Sequence, residues 1–119
     1  MFESPTLARG SKQTVEAAEF RGGHPALEFL RELTEEDQVK LQALFNWLGA
    51  NGEIKNRQKF KKVDSDIWEF KSYQIRMLCF FVPGRRVIVT HGFIKKQDGI
   101  PPREIKRAKS IRDEWRKKR

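Results

Sequence analysis

The residues here whose type and spacing suit chemistry are cations set on apolar strands and at strand ends. A period-two reading of Ile75 to Val82 puts Ile75, Met77, Cys79 and Phe81 on one face, and Arg76, Leu78, Phe80 and Val82 on the other. Arg76 is therefore a guanidinium among apolar neighbours. A buried charge without a partner is costly, so Arg76 either pairs with a carboxylate, for which Glu69 on the neighbouring strand is placed, or opens onto an anion. Lys95 and Lys96 follow the strand Val87–Ile94, Lys71 ends its own strand, and Arg103 and Lys106 stand in the first turns of the last helix. Fixed cations of this kind suit contact with an anion. His91 falls on one face with Val87, Val89 and Phe93. It reads either as a core histidine with its ring nitrogens satisfied or as a base that titrates near neutral pH.

Other site chemistries find no residues to carry them. Cys79 is the single cysteine, which excludes an intramolecular disulfide and a CxxC knuckle and suits an inert buried thiol. The two histidines, His24 and His91, lie at no metal-ligand spacing from a cysteine or carboxylate, so no metal and no cofactor is expected. Neither phosphate-binding glycine motif, GxxxxGK[ST] or GxGxxG, is present, nor is the GxSxG elbow.

The charge distribution points the same way as the strand cations. Residues 1–54 carry five Lys/Arg against nine Asp/Glu, and residues 55–119 carry twenty against seven. The second half thus holds a net +13, which matches a polyanion better than it matches simple solubility. Nucleic acid is the expected partner. No basic amphipathic helix with a greasy face argues for a membrane surface.

The elements that must position these cations follow from periodicity and punctuation. With 119 residues the chain suits one domain, expected over residues 14–119 behind a loose leader at 1–13. Thr14 to Phe20 reads as a short edge strand before the Gly22-Gly23 break. Pro25 opens a short helix with Ala26, Leu27, Leu30 and Leu33 as its stripe. Thr34 followed by Glu35, Glu36 and Asp37 caps a second helix, with Leu41, Leu44, Phe45 and Leu48 at i, i+3, i+4 and i+7, and Gly49, Asn51 and Gly52 as its stop. Together they are expected to form a helical hairpin. The second half changes to strand period: 60–63 and 67–71 about Asp64-Ser65-Asp66, then 75–82 and 87–94 about Pro83-Gly84. Pro101-Pro102 opens a last basic helix with Ile105, Ala108, Ile111 and Trp115 on its buried side. The expected class is α+β: a helical hairpin packed on a small antiparallel sheet of three or four strands, with a C-terminal basic helix. The longest apolar run, Met77 to Val82, is far short of a membrane span. The amino terminus lacks the basic and apolar regions of a signal peptide, so a cytoplasmic protein is expected.

Several segments, taken in order, resemble the phage-derived, HigB-like branch of the RelE/ParE toxin superfamily. They are Ile67-Trp68-Glu69-Phe70-Lys71, Ile75-Arg76-Met77-Leu78-Cys79-Phe80-Phe81, His91-Gly92-Phe93-Ile94-Lys95-Lys96, and Pro102 with Glu104-Ile105 and Ala108. Gly23, Pro25 and Phe29-Leu30 are similar to that branch's entry into its helical hairpin, and the likeness spans roughly residues 14–116. The resemblance implies the toxin of a toxin–antitoxin module, an mRNA interferase that cuts messenger RNA on the ribosome and is neutralised by a cognate helix-turn-helix antitoxin. Such enzymes use no metal, because the RNA's own 2′-hydroxyl attacks the adjacent phosphate. On that likeness Arg76 is the phosphate clamp, Lys95 and Lys96 are the basic pair, and Lys71 falls near another commonly basic position; Lys71, and Arg103 and Lys106 by their place on the last helix, are expected as further substrate contacts. Ile75 and Cys79 stand where relatives often carry an aromatic. The single tyrosine, Tyr73, precedes the arginine strand instead of lying near the C-terminus. The proton-transfer group is thereby left open between His91 and a lysine of lowered pKa.

Two other functions fit the same residue types. One is a ParE-like toxin of the same fold that poisons a topoisomerase by protein contacts. The other is a nucleic-acid-binding module without catalysis.

Overall fold

The computed structural model describes residues 1–119. Four strands of the second half form as their periodicity predicts: β3 (Phe60–Asp64), β4 (Ile67–Ser72), β5 (Ile75–Val82) and β6 (Arg86–Ile94). They pair antiparallel in sequence order, through turns at Ser65, Tyr73 and Gly84-Arg85, all of positive φ.

The sheet does not stop at these strands, and the expected small antiparallel sheet under a helical hairpin is corrected on both counts. Two strands from the first seventeen residues, β1 (Thr6–Arg9) and β2 (Thr14–Ala17), complete a six-stranded sheet of order β1-β2-β6-β5-β4-β3. β2 runs parallel to β6, so the sheet is mixed. The residues expected as a loose leader thus supply β1, and Phe2 and Leu7 are buried in the core. The expected edge strand at 14–20 is instead an interior strand of four residues. The physical reason is the edge of β6: left unpaired, its N–H and C=O groups would stand beside a buried sheet. β2 covers them, with Val15 and Ala17 turned into the core and Arg86 bound to Glu16 by two hydrogen bonds of 2.7 and 2.9 Å.

The helices also pack differently from a hairpin. The short α1 (Pro25–Arg31) lies against β6, whereas α2 (Glu35–Asn51) lies across β1, β2 and β4. Each is held by the sheet. α2 begins as its sequence dictates, with Thr34 Oγ1 accepting from the Asp37 N–H, and ends at Gly52 in a left-handed conformation. Both helices cover one face, over Val15, Val87, Val89, Met77, Cys79, Phe60 and Phe70. Phe45 of α2 meets Phe70 edge to face at 5.0 Å. The opposite face carries α3 (Pro102–Lys117), whose Ala108, Ile111 and Trp115 pack on Ile67, Leu78, Phe80 and Ile88. The result is α+β in three layers, with β5 apolar on both sides because both sides are covered. No helix is long and apolar enough to cross a membrane.

One irregularity decides where the site residues point. Between β5 and β6 the register shifts, pairing Leu78 with His91 and Cys79 with Val89, so Thr90 is an extra residue. Beyond it every side chain of β6 changes face. His91 therefore lies on the α3 face with Phe93, not with Val87 and Val89 as an unbroken period predicts.

Candidate active site

Strand register assembles the cations on the α3 face of the sheet. Lys61, Glu69, Leu78 and His91 form one row across β3 to β6; Lys71, Arg76 and Phe93 form the next. Arg76 and Glu69 are thus diagonal neighbours on adjacent strands. Arg76 Nε lies 3.1 Å from Glu69 Oε1, with side-chain exposures of 8% and 2%. The guanidinium is fixed further by its Nη1, which donates to the carbonyls of Tyr73 (2.6 Å) and Ile75 (2.9 Å). Nε and Oε1 are close but not aligned as donor and acceptor, so the contact is a charge pair, not a hydrogen bond. Nη2 donates to nothing in the protein.

Both readings of Arg76 thus hold at once: it has its carboxylate, and it keeps donor capacity to spare. Around the pair stand Lys61, Lys71 and Lys95. Burial pushes the Glu69 carboxyl above its ordinary value, and the charges of Arg76, Lys61, Lys71 and Lys95 hold it back down. Lys71 is lowered, first by burial and then by the positive charge of Lys61. One buried carboxylate thus lies in the field of four cations, of which Arg76 alone is in contact with it. Lys95 is fixed just past the end of β6, its N–H donating to the Gln74 carbonyl at 2.7 Å across the β4–β5 turn.

The other expected residues are placed apart from this group. The His91 ring is sealed: Nε2 lies 3.0 Å from Glu104 Oε1 on α3, and Nδ1 lies 3.1 Å from Thr90 Oγ1. Burial lowers its pKa, opposed by the Glu104 hydrogen bond, so the imidazole is neutral at neutral pH. Lys96 is exposed on the loop after Lys95. Arg103 is exposed and meets Glu104 at 3.7 Å, and Lys106 is exposed beside the β3–β4 turn. Burial raises the Cys79 thiol well above its ordinary value, which leaves it unreactive. No group of three or more His, Cys, Asp and Glu side chains converges to hold a metal ion.

Two features escaped the linear reading. Lys61 joins the cluster because it is paired with Glu69 across β3–β4, a relation visible only once the hairpin register is known. Trp47 is 59% exposed on α2, outside the Leu41-Leu44-Phe45-Leu48 stripe. A tryptophan off the buried stripe of a helix was the available signal.

Comparison with known families finds that residues 28–113 match the model of a family described as phage-derived protein Gp49-like (DUF891). That span runs from α1 to α3 and includes Lys61, Glu69, Lys71, Arg76, His91 and Lys95. No curated protein matches the chain.

Proposed function

The chain belongs to the phage-derived Gp49-like family, and on that premise we propose that it is the toxin of a toxin–antitoxin module, a ribosome-associated mRNA interferase of the cytoplasm. The observation that carries this reading is the Arg76 guanidinium, fixed by two carbonyls and Glu69 with Lys71 and Lys95 beside it. A group so restrained meets a phosphate without further ordering, which is what stabilising a transition state requires.

In the proposed reaction the RNA 2′-oxygen attacks the adjacent phosphorus while the bond from phosphorus to the 5′-oxygen breaks. The products are a 2′,3′-cyclic phosphate and a 5′-hydroxyl, whose oxygen takes its proton from water as it leaves. Arg76 binds the non-bridging oxygens as their charge grows. Lys71, whose burial and cationic neighbours favour the neutral amine, accepts the 2′-hydroxyl proton. Lys95 and Lys96 hold the flanking phosphates, with Arg103 and Lys106 as more distant contacts. His91 positions α3 through Glu104. A cognate helix-turn-helix antitoxin neutralises the toxin in this reading.

The test is single-turnover cleavage of mRNA on programmed ribosomes. Arg76→Lys keeps a charge for Glu69 but loses the forked donor, and should cut about 10²–10³-fold more slowly while still binding. Cleavage within a few-fold of wild type would overturn the assignment. Growth arrest with intact messages and stalled replication would favour topoisomerase poisoning. RNA binding without cleavage by the wild type would favour the non-catalytic module.

A further inference from the structure

A groove of about 680 Å³ opens on the other side of the molecule's basic end, between α2 and the segment leading into β3, with Trp47, Ile54, Lys55 and Asn51 in its walls. A second hollow of about 440 Å³ continues it toward the β4–β5 turn and is walled by Lys40, Gln58, Lys71 and Tyr73. The two share Ala43, Leu44, Asn56 and Lys59, so they form one continuous trough. At one end stands Trp47, 59% exposed, and at the other Tyr73, 76% exposed. Lys40 Nζ sits 4.4 Å from the centre of the Tyr73 ring and leaves the ring's other face open.

We propose that this trough is a binding track for single-stranded RNA, with Trp47 and Tyr73 as stacking platforms and Lys55 and Lys59 as phosphate contacts. The inference extends the ribonuclease reading, on which it rests for the identity of the strand. Lys40 and Trp47 are seven residues apart on α2, about 10 Å along the axis, room for two or three stacked bases. The cations between the rings face a single lining acid, Glu53, and the amides of Asn51, Asn56 and Gln58 offer hydrogen bonds to base edges. Exposed aromatic faces alternating with lysines are how single strands are held without sequence preference. An acidic peptide would also meet the charge. It would not explain two exposed rings at the ends of a lining that carries four lysines and three amides beside Ala43, Leu44 and Ile54. The trough ends at the β4–β5 turn, where the Tyr73 carbonyl accepts from Arg76 Nη1 at 2.6 Å, so a strand that leaves it over that turn reaches the face carrying the proposed scissile phosphate.

The experiment measures binding of a fluorescein-labelled 12-nucleotide oligouridylate to the isolated protein by anisotropy. Trp47→Ala and Tyr73→Ala should each weaken binding roughly 5- to 100-fold, as the loss of one stacked base does. Val39→Ala, exposed on α2 outside the trough, should leave it unchanged. Unlabelled single strand should compete and duplex of the same length should not. Affinities within twofold of wild type for both aromatic variants would overturn the track. So would Trp47-dependent capture of an acidic helical peptide with oligonucleotide affinity unaltered. The two readings fail separately: the aromatic variants act on affinity and KM, whereas Arg76→Lys acts on the cleavage step. If no variant, nor the wild type, cleaves, yet Trp47→Ala still weakens binding, the track stands and the nuclease assignment falls.

Discussion

Arg76 and Glu69 face each other diagonally across β4 and β5, 3.1 Å apart and almost wholly out of water, in the middle of a sheet face otherwise rich in cations. The pair couples stability to activity in a separable way. Arg76→Ala leaves a buried carboxylate without its nearest partner and should destabilise the fold by about 3–5 kcal/mol. Adding Glu69→Met should restore most of that loss in urea unfolding while leaving mRNA cleavage abolished. Recovery of cleavage in the double variant would show that Arg76 serves the fold alone.

The lowered pKa of Lys71 predicts the shape of the pH–rate profile. If its neutral amine takes the proton, single-turnover cleavage should rise with pH along a limb whose midpoint lies below the ordinary lysine value. Lys71→Met should flatten that limb and slow the reaction about 10²–10⁴-fold.

His91 makes stability depend on acid. Its folded pKa lies below the ordinary 6.5, so below that pH the unfolded chain takes up a proton more readily than the folded one. The stability His91 contributes is complete above pH 6.5 and is lost as pH falls toward its folded value. Urea midpoints should therefore drop between pH 7.5 and 5.5 more steeply in wild type than in His91→Gln, whose amide can still donate to Glu104 while carrying no titrating ring.

Gly92 has no room for a side chain. It is buried where β6 passes under α1, and a β-carbon there would overlap the Phe29 ring. Gly92→Ala should cost about 1–3 kcal/mol in chemical denaturation, and Phe29→Leu in the same chain should recover part of it.

Much of this architecture can be read from local pattern. The four strands of the second half, their turns, and the capped α2 all announce themselves through period and punctuation. So does Arg76, a charge in an apolar strand. What stays hidden depends on distant partners. β1 is four residues, too short for alternation to separate it from loop; β2 reads as an edge strand, and lies inside the sheet because β6 pairs with one of its edges and β1 with the other. The extra residue at Thr90 leaves no mark in composition, yet it carries His91 from one layer to the other. α1 and α2 look like a hairpin because they are consecutive and amphipathic. Their apolar stripes in fact match different strands of one broad sheet. In the candidate site the identities of the cations were legible, but Lys61 and the central place of Glu69 follow only from strand register.

The parallel union of β2 with β6 also sets an order of events during synthesis. Glu16 must wait for Arg86, seventy residues later, before its strand gains its second neighbour. Closing so long a loop is slow, so the joining of β2 to β6 is among the last pairings of the sheet to form. Until β6 has emerged, β5 lacks one of its two neighbours, Arg76 lacks the flank that ends in Lys95, and the cationic cluster is incomplete. A growing chain therefore stays without its complete site until β6 and Lys95 have been made.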